Sequence, residues 1–157
     1  MREYLVQEEP WSEALWAEMR PLAEAHFAEV DGGVEANRPF RLDLRLMAHL
    51  RDAGGLLVVT ARERGSPVGY FTWQISLDVE SEGLLVGYQG AWFVAPGHPR
   101  IAVALFDESL RRLRARGVQH VFPHHRTQGR GANLGRFFLR RGAKHIQQTY
   151  SLWIGGQ

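Results

Sequence analysis

The sequence of 157 residues contains no cysteine and only one lysine, Lys144. The absence of cysteine excludes a disulfide framework, a zinc site with thiolate ligands and catalysis by a thiol nucleophile. All other basic residues are arginines, and the 19 basic residues stand against 17 acidic ones. The resulting net charge of +2 is too small to predict a polyanion-binding surface by itself.

Long apolar segments are also absent. No run reaches the ~18 residues that a membrane-spanning helix requires, and residues 1–4 do not begin a secretion signal. Since 45% of the residues are hydrophobic, a chain of this length is expected to form one domain, residues 1–157, around its own core. We therefore expect a cytoplasmic protein with no membrane partner.

Hydrophobic periodicity predicts two helices in the first third of the chain. The apolar spacing from Leu15 to Phe27 is helical, and Pro21 is expected to kink or split that helix. Asp43 is suited to cap a second, short helix that ends at Gly54. The segment 31–39 contains glycine and proline and is expected to be a loop.

The remaining segments predict a mixed sheet. A short strand at 4–6 precedes the first helix, and strands at 56–61, 68–77 and 84–94 form an antiparallel meander. A helix then follows Pro99, with the i,i+4 pairs Asp107–Arg111 and Glu108–Arg112 on its outer face. The last elements are a strand, a helix and a strand at 118–122, 132–141 and 144–154. The order β-α-α-β-β-β-α-β-α-β indicates an α/β (α+β) fold with a mixed, mainly antiparallel sheet and helices on both faces.

The junction at residues 92–102 is the strongest functional signal from the residues alone. A strand passes through a Gly/Pro turn directly into an amphipathic helix. The unpaired N–H groups and the dipole at a helix start bind anions, and His98 and Arg100 add charge to such a site. A plain strand–helix connection is the alternative interpretation.

The element order and several short motifs resemble the GNAT family of acyl-CoA N-acyltransferases. The similarity covers nearly the whole chain and is nearest to small GNAT-like proteins of phages and prophages. The residues that match family motifs are Val94-Ala95-Pro96 at the end of the fourth strand, Gly117-Val118 before the fifth, Asn133-Leu134, Leu139-Arg140-Arg141-Gly142 and Tyr150.

This resemblance implies transfer of an acetyl or other acyl group from acetyl-CoA or a related acyl-CoA to an amine, by direct transfer because no thiol is present. The acceptor is a small-molecule or peptide amine of unknown identity. It would enter on the side of the first two helices, near the loop 31–39 and the hairpin 80–83. The implied cofactor-binding residues are Phe93 and Val94 for pantetheine, Gly97, His98, Pro99, Arg100, Ile101 and Ala102 for pyrophosphate, and Asn133 and Phe138 for the other side of pantetheine.

The sequence departs from the family pattern at the positions that do the chemistry. The pyrophosphate loop is shorter than usual, and Pro99 removes one N–H donor from it. The tyrosine that serves as acid in the family falls at Phe138, and the glutamate base falls near Tyr88 or Gln89. Neither is a base near neutral pH, whereas a histidine such as His124 titrates in the right range. Tyr88, at the position that the resemblance gives to the base, and His124 are the candidate catalytic residues, with His125 as a second histidine.

Two further interpretations concern arginine and histidine clusters. The arginines from Arg111 to Arg116 are partly balanced by Asp107 and Glu108, so a solvated helix face is favoured and nucleic acid is not expected as a partner. Arg126 and Arg130 fit the phosphates of CoA better than RNA. The histidines at 120, 124 and 125 have no neighbouring carboxylate, which disfavours a metal site.

The main alternative to an enzyme is a catalytically impaired GNAT-fold binding or interaction module, such as a phage accessory protein. The loss of the loop glycines and of the usual acid and base favours it. A homodimer that pairs final strands is compatible with this fold and stays open.

Overall fold

The computed structural model describes residues 3–30, 40–125 and 133–147. These residues form five strands and four helices in the order that the sequence predicts. The elements are β1 (Tyr4–Glu8), α1 (Glu13–Val30), α2 (Leu44–Asp52), β2 (Leu56–Glu63), β3 (Ser66–Leu77), β4 (Leu85–Val94), α3 (Ile101–Ala115), β5 (His120–Phe122) and α4 (Leu134–Arg140).

All five strands belong to one sheet with the order β1-β2-β3-β4-β5. Strands β1 to β4 pair with one another in antiparallel orientation, and β5 runs parallel to β4. The parallel pair is possible because α3 crosses over from the end of β4 to the start of β5. The predicted mixed, mainly antiparallel α/β fold is confirmed.

The alternation of side chains along β2 builds a core on each face of the sheet. Leu56 and Val58 pack under α1 and α2, in a cluster with Leu15 and Met19 of α1. Leu57 and Val59 point to the opposite face, in a cluster with residues of α3 such as Leu105. The helices therefore cover both faces, as the sequence predicts.

Helix α1 is continuous through Pro21, so the predicted split is wrong. Pro21 lies on the exposed side of the helix, opposite the buried stripe of Leu15, Met19 and Ala23. The carbonyl that loses its N–H partner there faces water and can be solvated. Packing of the apolar stripe against the sheet offsets the lost hydrogen bond.

The predicted boundaries of α2 are confirmed. Oδ1 of Asp43 accepts hydrogen bonds from the N–H groups of Arg45 and Leu46, both at 3.0 Å. Such a cap stabilises a helix by about 1 kcal/mol. After the helix, Gly54 adopts a φ of +70°, a left-handed conformation that favours glycine.

One of the two ion pairs predicted on α3 is wrong. Glu108 does bond Arg112, with Nε at 2.7 Å, but it also bonds Arg111 through both carboxylate oxygens. Asp107 instead bonds Arg141, which follows α4, at 2.5 Å. The pair Asp107–Arg141 joins two helices, which helical spacing alone cannot reveal.

The end of the chain differs from the prediction where it is described. Residues 144–147 form no strand, although a strand over 144–154 was expected. The rest of that strand lies outside the described residues, as do the predicted loops at 31–39 and 127–131, Arg126 and Arg130. No helix in the described part of the chain is both long and apolar enough to cross a membrane.

Candidate functional site

Strands β4 and β5 separate partway along the sheet. In the described chain β5 pairs with β4 only through Val86–His120, Gly87–Val121 and Tyr88–Phe122. Beyond Tyr88, β4 continues to Val94 with β3 as its neighbour. The side-chain Oε1 of Gln89 accepts the N–H of His124 at 3.1 Å, so it bridges the point of separation. The region beside the second half of β4, beyond the last described pair with β5, is here called the gap.

A β-bulge in β4 lies immediately beyond this point. Trp73 is opposite Gln89 whereas Phe71 is opposite Trp92, so β4 contains one extra residue. Oγ1 of Thr72 accepts the N–H of Ala91 at 2.7 Å and thereby satisfies an amide that the irregular ladder would leave without a partner. A Cβ on Gly90 would lie 2.5 Å from that same oxygen, so a larger residue there would displace the Thr72 hydroxyl from Ala91. Bulges increase strand twist, which explains the divergence at this point.

The bulge also reverses which side chains of β4 face which helices. Ala91 and Phe93 pack in the cluster under α1 and α2, while Trp92 and Val94 pack in the cluster under α3. Without the extra residue, these two sets would exchange faces. The second half of β4 thus presents Phe93 to the side where the resemblance places the acceptor.

The two candidate catalytic residues lie near the point where the pairing of β4 with β5 ends. Tyr88 is 44% exposed and stacks on Phe122, with ring centroids 4.9 Å apart. Val121 packs on the α3 side, so its neighbour Phe122, and Tyr88 with it, belong to the α1 side. His124 is exposed and is joined through its N–H to Gln89, the residue that follows Tyr88. The structure therefore places Tyr88 in the last pair of the β4–β5 ladder and His124 two residues after its partner, Phe122.

The turn between β4 and α3 is built on backbone geometry. The N–H of Ala95 donates to the carbonyl of Val68 at 2.9 Å, and Gly97 has a φ of +87°. The N–H of Ile101 donates to the carbonyl of His98 at 3.1 Å, and its side chain is buried in the core. The N–H of Ile101 is therefore already hydrogen-bonded. The N-terminus of α3 has fewer unpaired N–H groups for an anion than a helix whose first turn is open.

His98 and Arg100 differ in their surroundings. Nδ1 of His98 lies 3.2 Å from Oη of Tyr4, and the two rings pack edge to face. This contact holds the imidazole against β1. Arg100 is exposed and occupies the N-cap position of α3 without a side-chain capping bond. Arg100 is thus the cation of this turn that can move to meet an anion.

The two predicted contacts on α4 have different environments. Phe138 is buried in an aromatic cluster with Trp92 and Phe106, with ring centroids 6.0 and 5.7 Å away. Asn133 precedes α4, is exposed, and its Oδ1 accepts a hydrogen bond from Arg136 at 3.3 Å. The family position for a tyrosine acid is therefore a core phenylalanine in this protein.

Sequence reasoning did not identify a hydrogen-bonded pair under α1. Nδ1 of His26 lies 2.9 Å from Oη of Tyr70, and the His26 ring stacks on Phe93. Tyr70 is 4% exposed, and burial raises the pKa of its phenol. The available signal was a histidine three residues after Ala23, on the otherwise apolar stripe of α1.

The described residues contain no group of three histidine, aspartate or glutamate side chains that could hold a metal ion.

Comparisons with known proteins support the fold. No protein-family profile matches the chain, and no curated protein matches its sequence. An aminoglycoside acetyltransferase from an uncultured soil metagenomic sample is similar in structure, with a TM-score of 0.74, 21% identity and coverage of 98% of this chain and 99% of that one. The ribosomal-protein-alanine N-acetyltransferase of Brucella melitensis biovar Abortus 2308 gives a TM-score of 0.71 at 18% identity, again over 98% and 99%.

A third similar structure is AAC(6')-Iy in complex with a bisubstrate analogue, CoA-S-monomethyl-acetylneamine. Its TM-score is 0.65 at 12% identity, over 98% of this chain and 99% of that one. At these identities the likeness defines the fold. This chain has the fold of the GNAT N-acetyltransferases, as its sequence predicts.

Proposed function

We propose that this protein is an N-acetyltransferase that moves an acetyl group, or another acyl group, from acyl-CoA to an amine. The observation that supports this most strongly is the separation of β4 from β5 at the Gly90 bulge, directly before the turn into α3. In the described chain β5 pairs with β4 only as far as Tyr88, and the N-terminus of α3 follows the end of β4. These features fit a ligand with a linear arm and an anionic group.

For the acyl donor, the second half of β4 is the proposed support. The backbone at Phe93 and Val94 would align the pantetheine arm, and Asn133 would approach from α4. Phe138 would contribute from behind, because its ring is part of the core that fixes α4. The structural neighbour that holds a CoA-based bisubstrate analogue has the same fold, which supports a CoA-linked donor.

The turn at 97–102 would take the pyrophosphate with a reduced set of donors. Pro99 has no N–H, and the N–H of Ile101 is engaged by His98. The remaining contributions are the small residues Gly97 and Ala102, which let an anion approach the backbone, and the guanidinium of Arg100. Affinity for the acyl donor should therefore depend more strongly on Arg100 and on ionic strength than it would in a protein with a glycine-rich loop.

Acyl transfer to an amine releases two protons from the attacking ammonium and requires one for the leaving thiolate. We assign the proton lost after the C–N bond forms to His124, because imidazole titrates near neutral pH. We assign the proton given to the leaving sulfur to the phenolic O–H of Tyr88. Direct transfer with these two groups requires no thiol intermediate.

The acceptor is proposed to be a small-molecule or peptide amine that enters on the α1 side, which Phe93 and Tyr88 face. The solved relatives act on chemically different amines, so the fold does not select among them. The cytoplasmic location and the homodimer stay predictions.

The test is a turnover assay of purified protein with acetyl-CoA and pooled amines, read as CoA release. Release that depends on the amine pool supports the proposal. Binding of acetyl-CoA without release from any pool would instead support the non-catalytic binding module, which the engaged Ile101 amide and the missing Pro99 donor also favour. A donor-only hydrolysis rate measured in parallel is the control.

A further inference from the structure

A row of side chains crosses four strands on the face of the sheet that α1 and α2 cover. Leu56 of β2 lies opposite Gln74 of β3, and Gln74 lies opposite Tyr88 of β4. Tyr88 in turn lies opposite Phe122 of β5. Directly opposite residues share a face of the sheet. Because Leu56 packs in the cluster under α1 and α2, the whole row belongs to that face.

Solvent exposure changes along this row. Leu56 is 7% exposed and belongs to the core, whereas Gln74 is exposed and Tyr88 is 44% exposed. Tyr70 lies on the same face of β3, where it contacts α1 through His26, and it is only 4% exposed. The core that packs under the two helices therefore includes Leu56 and Tyr70 but leaves Gln74 and Tyr88 accessible.

Three rings lie side by side at the β5 end of the row. Tyr88 stacks on Phe122, with centroids 4.9 Å apart and planes at 13°. Phe122 also contacts the ring of His120, with 4.4 Å between centroids. Among the described residues, Phe122 is the one aromatic ring in contact with Tyr88. Since Phe122 covers one face of the Tyr88 ring from β5, the other face is directed toward β3 and Gln74.

The open face of Tyr88 borders a slot one strand wide, bounded by Leu56, Gln74 and Tyr88. Neighbouring strands are about 4.8 Å apart, so Leu56 and Tyr88, two strands apart, are separated by about 10 Å. Stacked aromatic rings have centroids about 4.5–7 Å apart, so a ring stacked on Tyr88 would lie above Gln74. The amide of Gln74 can donate a hydrogen bond to that ring's polar substituents or accept one from them. The slot therefore has the width and the lining for one flat ring.

Resting on the proposed acyl transfer, we propose that this slot binds an aromatic ring carried by the acceptor amine. The open face of Tyr88 stacks on that ring, while Phe122, itself in contact with His120, holds the plane of Tyr88 from behind. The phenolic O–H of Tyr88 is the proposed proton donor, and the proposed base, His124, is joined to the neighbouring Gln89. A ring held on Tyr88 thus keeps the attached amine close to both groups. The acceptor class that this geometry selects is the arylalkylamines.

Stacking, rather than burial of apolar surface, is the property that distinguishes this slot. Phenyl and cyclohexyl groups are similar in size, but only phenyl has a π-system that can stack on Tyr88. Cyclohexyl has at least as much apolar surface, so burial alone leaves the two equal or favours cyclohexyl. A preference for phenyl therefore reports contact with an aromatic face.

The first test measures binding and requires no turnover. 2-Phenylethylamine and 2-cyclohexylethylamine carry the same ammonium group and spacer, and each is titrated into the intact 15N-labelled protein by NMR. The protein should bind the phenyl compound about 2- to 10-fold more tightly. Tyr88→Leu should abolish this preference, whereas Tyr88→Phe keeps the ring and should retain it. Equal affinities, no binding of either amine at millimolar concentration, or a preference that survives Tyr88→Leu would overturn the inference.

A matched pair of variants tests whether the ring stack is responsible. Phe122→Leu removes the ring behind Tyr88 and should reduce the preference for phenyl. Phe40→Leu is the control, because Phe40 is also a partly exposed aromatic residue, at 38%, but packs against Trp16 and Phe27. It should leave the preference unchanged. An equal reduction in both variants would mean that the stack on Tyr88 does not determine the preference, and the inference would fail.

Turnover separates this inference from the proposed function. Tyr88→Phe should keep the binding preference for phenyl but lower kcat for acetyl transfer, because the phenolic proton is lost. Amine-dependent CoA release with no binding preference between the two amines would keep acyl transfer and overturn the aromatic slot. A preference for phenyl in binding with no amine-dependent CoA release would support the slot and contradict the proposed function.

Discussion

Single residues in the turn between β4 and α3 decide what an anionic ligand can contact there. His98 is held to β1 by Tyr4, and the N–H of Ile101 is given to the carbonyl of His98. Pro99 has no N–H to offer. Arg100 is exposed, and its guanidinium can present several donors in one plane. The side chain of Arg100 should therefore supply most of the hydrogen bonds that these backbone amides cannot give to an anion.

Replacement of Arg100 by glutamine tests this directly. A hydrogen bond to a charged group contributes about 1.5–3 kcal/mol, so Arg100→Gln should weaken acetyl-CoA binding by about 10- to 100-fold. The salt dependence of the dissociation constant should also become shallower. Isothermal titration calorimetry at two salt concentrations measures both effects.

The matched control is Arg114→Gln, since Arg114 is an exposed arginine near the other end of α3. Its substitution should leave the dissociation constant unchanged. Equal weakening by both variants would mean that overall charge, rather than a contact from Arg100, governs binding.

Glu108 gives a residue-scale prediction for stability. Hydrogen bonds from Arg111 and then Arg112 hold the pKa of Glu108 at about 2, below its ordinary value of 4.5. A lowered pKa means that the contribution of Glu108 is complete above pH 4.5 and is lost as the pH falls through about 2. Arg111 is well exposed, so water reduces the effect.

We expect Glu108→Gln to lower the free energy of unfolding by about 1–2 kcal/mol at pH 7 and by almost nothing near pH 2. Urea denaturation at several pH values measures this difference. Glu82→Gln, in the exposed turn before β4, should change stability by less than about 0.5 kcal/mol at any pH. A deficit for Glu108→Gln that stays constant with pH would show that packing, not charge, causes it.

At the scale of elements, the bulge in β4 joins the sheet to the candidate site. Its extra residue is accommodated because Thr72 accepts the N–H of Ala91 and because Gly90 has no Cβ. Loss of the Thr72 hydroxyl would leave a partly buried amide without an acceptor. The geometry of the gap should therefore depend on Thr72, which belongs to β3 and does not lie in the gap.

Thr72→Val should lower the free energy of unfolding by about 1–3 kcal/mol, since a buried donor is left unsatisfied. It should also weaken acetyl-CoA binding several-fold, because the bulge positions Phe93 and Val94. Chemical denaturation and calorimetry are the measurements. Thr72→Ser keeps the hydroxyl and should retain most of the affinity. If Thr72→Val loses stability but binds acetyl-CoA normally, the bulge does not shape the site.

Local sequence signals were sufficient for most of the elements. Alternating apolar residues marked the meander, and Asp43 and the glycine after α2 marked the ends of a helix, because these signals act within a few residues. Contacts between distant positions could not be found in this way. The bulge depends on Thr72 across the strand pair, and Asp107 bonds Arg141 rather than its helix neighbour.

The same distinction applies to the candidate site. The strand–turn–helix junction and its family motif could be read from consecutive residues, so the junction itself was predicted. The engaged amide of Ile101 and the burial of Phe138 depend on three-dimensional packing. His26 and Tyr70 are 44 positions apart, and no periodic pattern connects them.

For the whole molecule, the arrangement of charge explains why a basic chain need not bind nucleic acid. Many arginines of the described surface have carboxylate partners, among them Arg62 with Glu9 and Glu18, and Arg116 with Glu8. The Glu9–Arg62 pair is also largely buried, and Arg62 lowers the pKa of Glu9. Paired charges of this kind do not build a continuous positive surface.

We therefore expect no saturable binding of a fluorescent single- or double-stranded oligonucleotide at about 50 mM salt, where non-specific electrostatic binding is strong. Fluorescence anisotropy measures this. Tight binding that weakens steeply with added salt would contradict the prediction and would assign the arginines of α3 to a polyanion surface.

The central claim is that the gap between β4 and β5 binds acyl-CoA, and calorimetric titration of the intact protein with acetyl-CoA tests it most directly. The account predicts one binding site per chain, a dissociation constant below millimolar and a matching rise in melting temperature. CoA itself should compete for that site. The absence of both heat and thermal stabilisation at millimolar acetyl-CoA would contradict the claim.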